Sequence, residues 1–178
     1  MFMDKVDNEK CPMCLENKLI LSEEETEIPY FGKVFLFGMQ CSGCGFNKSD
    51  VEAAEQKEPV RVTFTVQNKK DLNARLVKSS EASVKIPQLK MSMEPGPDSI
   101  GFVSNIEGLL NKFKKILEDE RDLAEDDDAR KTAKNILKKL WHVECGEMEL
   151  KIVIEDPSGN SAIVSEKAVS EPLKGKKK

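Results

Sequence analysis

Four of the five cysteines form two C-x2-C pairs, Cys11/Cys14 and Cys41/Cys44, with 26 residues between them. A two-residue gap lets the chain turn in a tight knuckle, so both sulfurs of a pair can converge on one metal at about 2.3 Å. Pro12 fixes one backbone angle in the first knuckle, and Gly43 and Gly45 permit the turn of the second. Four thiolates fill a tetrahedral zinc sphere and leave no position for an activated water, so the spacing points to one structural Zn2+. A rubredoxin-like iron site and two separate redox dithiols use the same spacing and stay open as alternatives. Metal binding would supply folding energy to a segment too small to build its own core.

In a reducing compartment disulfides are rare, and metal ligation is the better reading of paired cysteines. The first ten residues, MFMDKVDNEK, alternate in charge and contain no apolar stretch of the kind a secretory signal needs. Mean hydropathy is −0.47, and no apolar run is long enough to cross a membrane. The expected location is the cytoplasm. Residues 1–58 carry six Lys against twelve Asp or Glu, while residues 59–178 carry 22 basic and 20 acidic residues. Nucleic-acid affinity rests on cationic neutralisation of phosphates. An acidic cysteine module on a near-neutral body lacks that footprint.

The pattern divides the chain into a flexible leader (1–10), a cysteine module (11–58), a β-rich domain (59–168) and a disordered Lys-rich tail (169–178). An apolar strand is expected over residues 30–39. Val60, Val62, Phe64 and Val66 alternate with polar residues, the period of a half-buried strand. Short strands follow over residues 74–78, 83–86 and 89–93, ended by Pro95-Gly96-Pro97. A helical hairpin is expected at about 104–142. Ser104 to Glu107 reads as a capping box, Ile106, Leu109, Leu110, Phe113 and Leu117 share one face, and Asp126, Asp127 and Asp128 favour the second helix start. The link between the helices is expected around residues 118–125. Met148, Leu150, Ile152 and Ile154 alternate as a strand, the residues after Asp156 turn, and residues 162–164 return as its partner. No internal repeat is present.

Asn105, Glu107, Gly108, Asp156 and Asn160, at a helix start and a turn, are candidate partner contacts. Each has a structural reading as well: Glu107 can complete the capping box, and Asp156 and Asn160 can shape the turn. Gly108 in a first helical turn costs roughly 1 kcal/mol relative to Ala and implies a close backbone approach. Cys145 stands near His142, the only histidine, without an orienting group or oxyanion element, and reads as a packed thiol.

CPMC (11–14), IPYFGKVFLFGMQCSGCGFNKSDV (28–51), DLNARLVKSSEASVKIPQLKMSMEPGPDSIGFVSNIEGLL (71–110) and EDPSGNS (155–161) occur in order at characteristic spacing. Together they resemble the ZPR-type zinc-finger family, the proteins that bind translation elongation factor 1-alpha. Eukaryotic members carry this finger-plus-domain unit twice, and this chain resembles the shorter archaeal form with one. Asn17 stands where a glycine often follows the first knuckle, and asparagine tolerates a left-handed backbone there. The resemblance implies an α+β protein: a four-cysteine zinc finger, then a β-rich, double-stranded β-helix-like domain with an inserted helical hairpin. It also implies a GTPase of the elongation factor 1-alpha class as partner, whose folding or assembly the chain would assist.

Two other classes compete with a protein-binding module. The cysteine spacing also fits a nucleic-acid-binding zinc ribbon of transcription or translation, but no basic stripe interleaves with aromatics in the finger. An enzyme is not expected: there is no phosphate-binding loop, nucleophile elbow or dinucleotide fingerprint, and one histidine cannot build a multi-histidine metal centre.

Overall fold

The computed structural model describes residues 3–28, 32–54 and 57–173. Strands β1 (Met3–Lys10), β2 (Asn17–Ile28), β3 (Gly32–Cys41) and β4 (Asn47–Ala53) form an antiparallel meander in the order β1-β2-β3-β4. Residues 3–10, expected as a flexible leader, are therefore its edge strand. They pair with β2 from Met3↔Glu24 to Lys10↔Asn17, because the long β2 offers a second edge that a polar strand can occupy. The strand expected over residues 30–39 lies two residues later, and residues 30 and 31 fall outside those described.

The second unit contains ten strands and helices in chain order: β5 (Val60–Val66), β6 (Arg75–Lys78), β7 (Ser83–Ile86), β8 (Met91–Met93), β9 (Phe102–Asn105), α1 (Ile106–Leu123), α2 (Asp127–Glu144), β10 (Leu150–Asp156), β11 (Ala162–Val164) and β12 (Val169–Pro172). Its strands make a five-stranded sheet, β12-β5-β10-β7-β8, and a three-stranded sheet, β11-β6-β9. Strand β11 was expected to pair with β10, but it pairs with β6. The turn after β10 carries the chain across to the second sheet, leaving β10 between β5 and β7. Residues 169–172, expected in a disordered tail, pair with β5 as β12; residues 174–178 lie outside those described.

The alternation in β5 points Val62, Phe64 and Val66 inward, where they meet Leu76, Val84, Ile86, Leu150, Ile152 and Ile154. Helix α1 closes this core with Ile106, Leu109, Leu110, Phe113 and Leu117, each at most 2% exposed. The spacing of these five residues turns one face of the helix inward. The expected capping box does not form: Asn105 caps α1, its Oδ1 accepting from the Gly108 N–H at 2.8 Å, while Ser104 belongs to β9 and the third helical residue, Gly108, has no side chain to reach back. Asp126 caps α2 by accepting from the N–H groups of Asp128 and Ala129. Because α1 runs to Leu123, the hairpin link is shorter than expected.

The finger sheet packs on the second unit through Val34 and Val51, which meet Val77, with Leu36 and Ala162 at the margin. Asp50 of β4 reinforces the junction, its Oδ1 accepting from the Gly101 N–H at 2.7 Å and from the Val51 N–H at 2.8 Å. Behind the junction lie two buried charges. Lys78 is 1% exposed and donates to the Ser79 carbonyl at 2.9 Å; Asp156 is fully buried. The Asp156 carboxylate accepts from the Ser158 N–H at 2.8 Å, the Ser158 hydroxyl at 2.7 Å and the Ser161 hydroxyl at 2.6 Å. The Ser161 oxygen in turn accepts from the Ser79 N–H at 3.0 Å. Burial pushes the Lys78 ammonium below its usual range, partly opposed by the carboxylates of Asp156 and Asp50.

Candidate metal centre

Both knuckles lie at one end of the finger sheet. Residues 11–16 join β1 to β2 and residues 42–46 join β3 to β4, while the Leu19↔Cys41 pairing aligns the two turns. In the first knuckle the Cys11 N–H donates to the Glu16 carbonyl and the Leu15 N–H to the Cys11 carbonyl, both at 2.9 Å. The second repeats this geometry, with Cys41 N–H donating to Phe46 at 2.8 Å and Gly45 N–H to Cys41 at 3.1 Å. Each turn needs one left-handed residue. Gly45 supplies it at φ +75°, and its counterpart is Leu15 at φ +62°, not the expected Asn17. Gly43 has no positive φ, and a Cβ there would meet only the movable ends of the Glu16 and Lys18 side chains, at 2.9 Å and 3.1 Å.

The four Sγ atoms lie within 4.8 Å of one another, with Cys11–Cys44 and Cys14–Cys41 each 3.7 Å apart. Tetrahedral zinc with bonds of about 2.3 Å requires sulfurs about 3.8 Å apart, so this donor set fits the ion. Cys11 and Cys41 are buried over Leu19, with Leu21, Met39 and Phe46 packed alongside, and Cys44 faces solvent. Burial raises the Cys11 thiol, but the N–H groups of Cys14 and Met13 outweigh it and bring the thiol to about 7. The Glu16 N–H favours a Cys14 thiolate, yet burial and the sulfurs of Cys11, Cys44 and Cys41 push that thiol up to about 12. Four adjacent thiolates repel one another, and a divalent ion reverses that balance. Cys11, Cys14, Cys41 and Cys44 could hold a zinc ion, whose chemistry here is to fix the two knuckles together.

The proposed contact residues do not gather at one surface. Asn105 is the α1 cap, and a Cβ on Gly108 would collide with the Ser104 hydroxyl, so the close approach inferred from that glycine is internal. Asp156 is fully buried and Asn160 is 7% exposed, which places both beyond a partner's reach in this conformation. Glu107 is exposed at the first turn of α1. His142 Nδ1 lies 2.7 Å from Glu147 Oε2, and Cys145 ends α2. Sequence reasoning missed Asp50, Gly101 and Lys78, the residues that join the two units. A lysine directly after Leu76 and Val77 in β6 was the one signal for them.

The ZPR1 zinc-finger domain family matches residues 7–59, and the ZPR1 jelly-roll domain family matches residues 70–177. A ZPR1-like protein of Methanocaldococcus jannaschii is 36% identical over 96% of this chain and 87% of its own length. A ZPR1-like protein of Pyrococcus horikoshii is 38% identical over 92% of this chain and 75% of its own length. The zinc finger chaperone zpr1 of Schizosaccharomyces pombe is 33% identical over 86% of this chain, which spans 33% of that protein's length. The jelly roll is the double-stranded β-helix expected from the motifs, and the two helices are inserted in it. Four converging cysteines ahead of a jelly roll, matched by both domain families, place the chain in the ZPR1 zinc-finger family as a single finger-plus-jelly-roll unit.

Proposed function

We propose that this chain is a zinc-dependent protein-binding module that assists the folding or assembly of a GTPase of the elongation factor 1-alpha class in the cytoplasm. The observation that carries this reading is the converging cysteine set, which fixes one end of a four-stranded acidic sheet and leaves its shape to the metal. The chaperone name of the fission-yeast relative supports a protein client. No described helix is long and apolar enough to cross a membrane. The test is capture of the newly made and the nucleotide-free GTPase by the zinc-loaded chain and by its Cys41→Ser variant. Recovery by the wild type alone is expected; recovery by neither overturns the partner.

One feature favours the second reading, a nucleic-acid-binding protein. Lys131, Lys134, Lys138 and Trp141 fall on one exposed face of α2, with Trp141 52% exposed. A gel shift that persists at physiological salt and is lost on Lys134→Glu/Lys138→Glu would support it.

A further inference from the structure

The finger sheet has two faces of different chemistry. Val34, Leu36 and Val51 turn toward the jelly roll. The residues between them turn the other way, and the registers set them in rows. Val6, Leu21, Met39 and Lys48 make one row, Asp4, Glu23, Phe37 and Asp50 the next, and Glu25, Phe35 and Glu52 a third. Each phenylalanine is thus bracketed by carboxylates from both neighbouring strands. The two rings lie 6.4 Å apart, and neither joins a buried cluster. A groove of about 240 Å³ runs beside Phe37, lined by Met39, Lys48, Asp50 and Glu52.

We propose that this face is the client-docking surface, and that its occupant is an extended, arginine- or lysine-rich segment of the client protein. Cations stack on aromatic faces while flanking carboxylates receive their N–H groups. Alternate side chains of an extended strand repeat at about 6.6–6.8 Å, which matches the ring spacing. Glu25 already pairs with Lys33 at 2.9 Å, and Asp50 Oδ1 is taken by Gly101 and Val51. Glu23 and Glu52, exposed on either side of β3, are therefore the principal receivers of the incoming charge. The zinc site anchors this face, since Leu21 and Met39 of its first row pack on the cysteine cluster. The proposal rests on the client-binding reading above and specifies its chemistry.

The experiment titrates labelled twelve-residue peptides against the full zinc-loaded chain by fluorescence anisotropy, at low and physiological salt. The probes are an alternating Arg–Val peptide and its counterparts with every Arg replaced by Glu or by Ser. The Arg peptide alone is expected to bind. Phe35→Ala/Phe37→Ala and, separately, Glu23→Gln/Glu52→Gln should each weaken it about tenfold or more. The carboxamide pair should also flatten the salt dependence, and both variants should keep one zinc per chain. If the phenylalanine pair loses zinc, the carboxamide pair alone decides the matter. Equal binding of the Glu or Ser peptide, wild-type binding by the face variants, or loss of binding in Trp141→Ala would overturn the proposal. Self-association of the wild type that the face variants abolish would assign the face to a second copy and overturn it as well. Capture of the GTPase by wild type and face variants alike removes the face but keeps the partner. The expected peptide pattern without capture of the GTPase keeps the face and removes the partner.

Discussion

Replacing Asp156 by alanine tests the buried polar hub most directly. The carboxylate is fully buried and accepts three hydrogen bonds. Two come from serine hydroxyls, which can rotate, but the Ser158 N–H is fixed and would lose its acceptor, at about 1–3 kcal/mol. Lys78, 1% exposed, would also lose one of the two carboxylates that favour its charge. The Lys78 ammonium donates to the Ser79 carbonyl and not to Asp156, and Asp50 remains near it, so this longer-range attraction adds to the hydrogen-bond loss without the cost of a broken ion pair. The expected loss is therefore at least about 1–3 kcal/mol for Asp156→Ala, with a smaller loss when Lys78→Met is already present. Urea unfolding of zinc-loaded protein, followed by circular dichroism, measures both single variants and the double. A loss below about 1 kcal/mol, or strict additivity of the two substitutions, would refute the reasoning.

Cys41→Ser should abolish stoichiometric zinc, measured with a chelating dye, and expose the finger to proteolysis while residual structure persists in the jelly roll. Gly159→Ala should destabilise by more than 1 kcal/mol, on the order of other incompatible positive-φ sites, because its φ is +71° and a Cβ would strike the Glu58 carbonyl. In acid, Glu155 and Asp71 set the trend. The Lys85 ammonium, with Arg61, holds Glu155 below the usual carboxylate range despite partial burial. Burial opposes the same shift at Asp71, but Lys167 and the N–H groups of Gln67 and Asn68 prevail. Both folded values are depressed, so their stabilisation is complete above the unfolded carboxylate range of about 4 and is lost as pH falls through the folded values. Glu155→Gln should flatten the acid limb of a melting-temperature profile, and an unchanged limb would count against the Lys85–Glu155 pair.

Much of the jelly roll could be read from periodicity. Val62, Phe64 and Val66 alternate because one sheet face is buried, and Ile106 to Leu117 keep helical spacing because α1 covers it. The convergence of the four cysteines was equally legible, since residue type and loop length together leave few geometries. What could not be read was long-range pairing. Residues 3–10 carry no apolar alternation, and only the free edge of β2 makes them a strand. The partner of β11 depends on where the turn after Asp156 points, and three buried hydrogen bonds to one carboxylate decide that. Leu15 gave no local hint of a left-handed backbone. That conformation is imposed by the bond its N–H donates to the Cys11 carbonyl.

The Asp50–Gly101 bond makes loss of the metal consequential beyond the finger. Strand β4 begins just after the second knuckle, so a chain stripped of its ion releases the strand that carries Asp50 and Val51. Their departure unseats Gly101 and uncovers Val77 beside Lys78. Scarcity of the ion would then loosen the adjoining edge of the jelly roll as well as the finger itself.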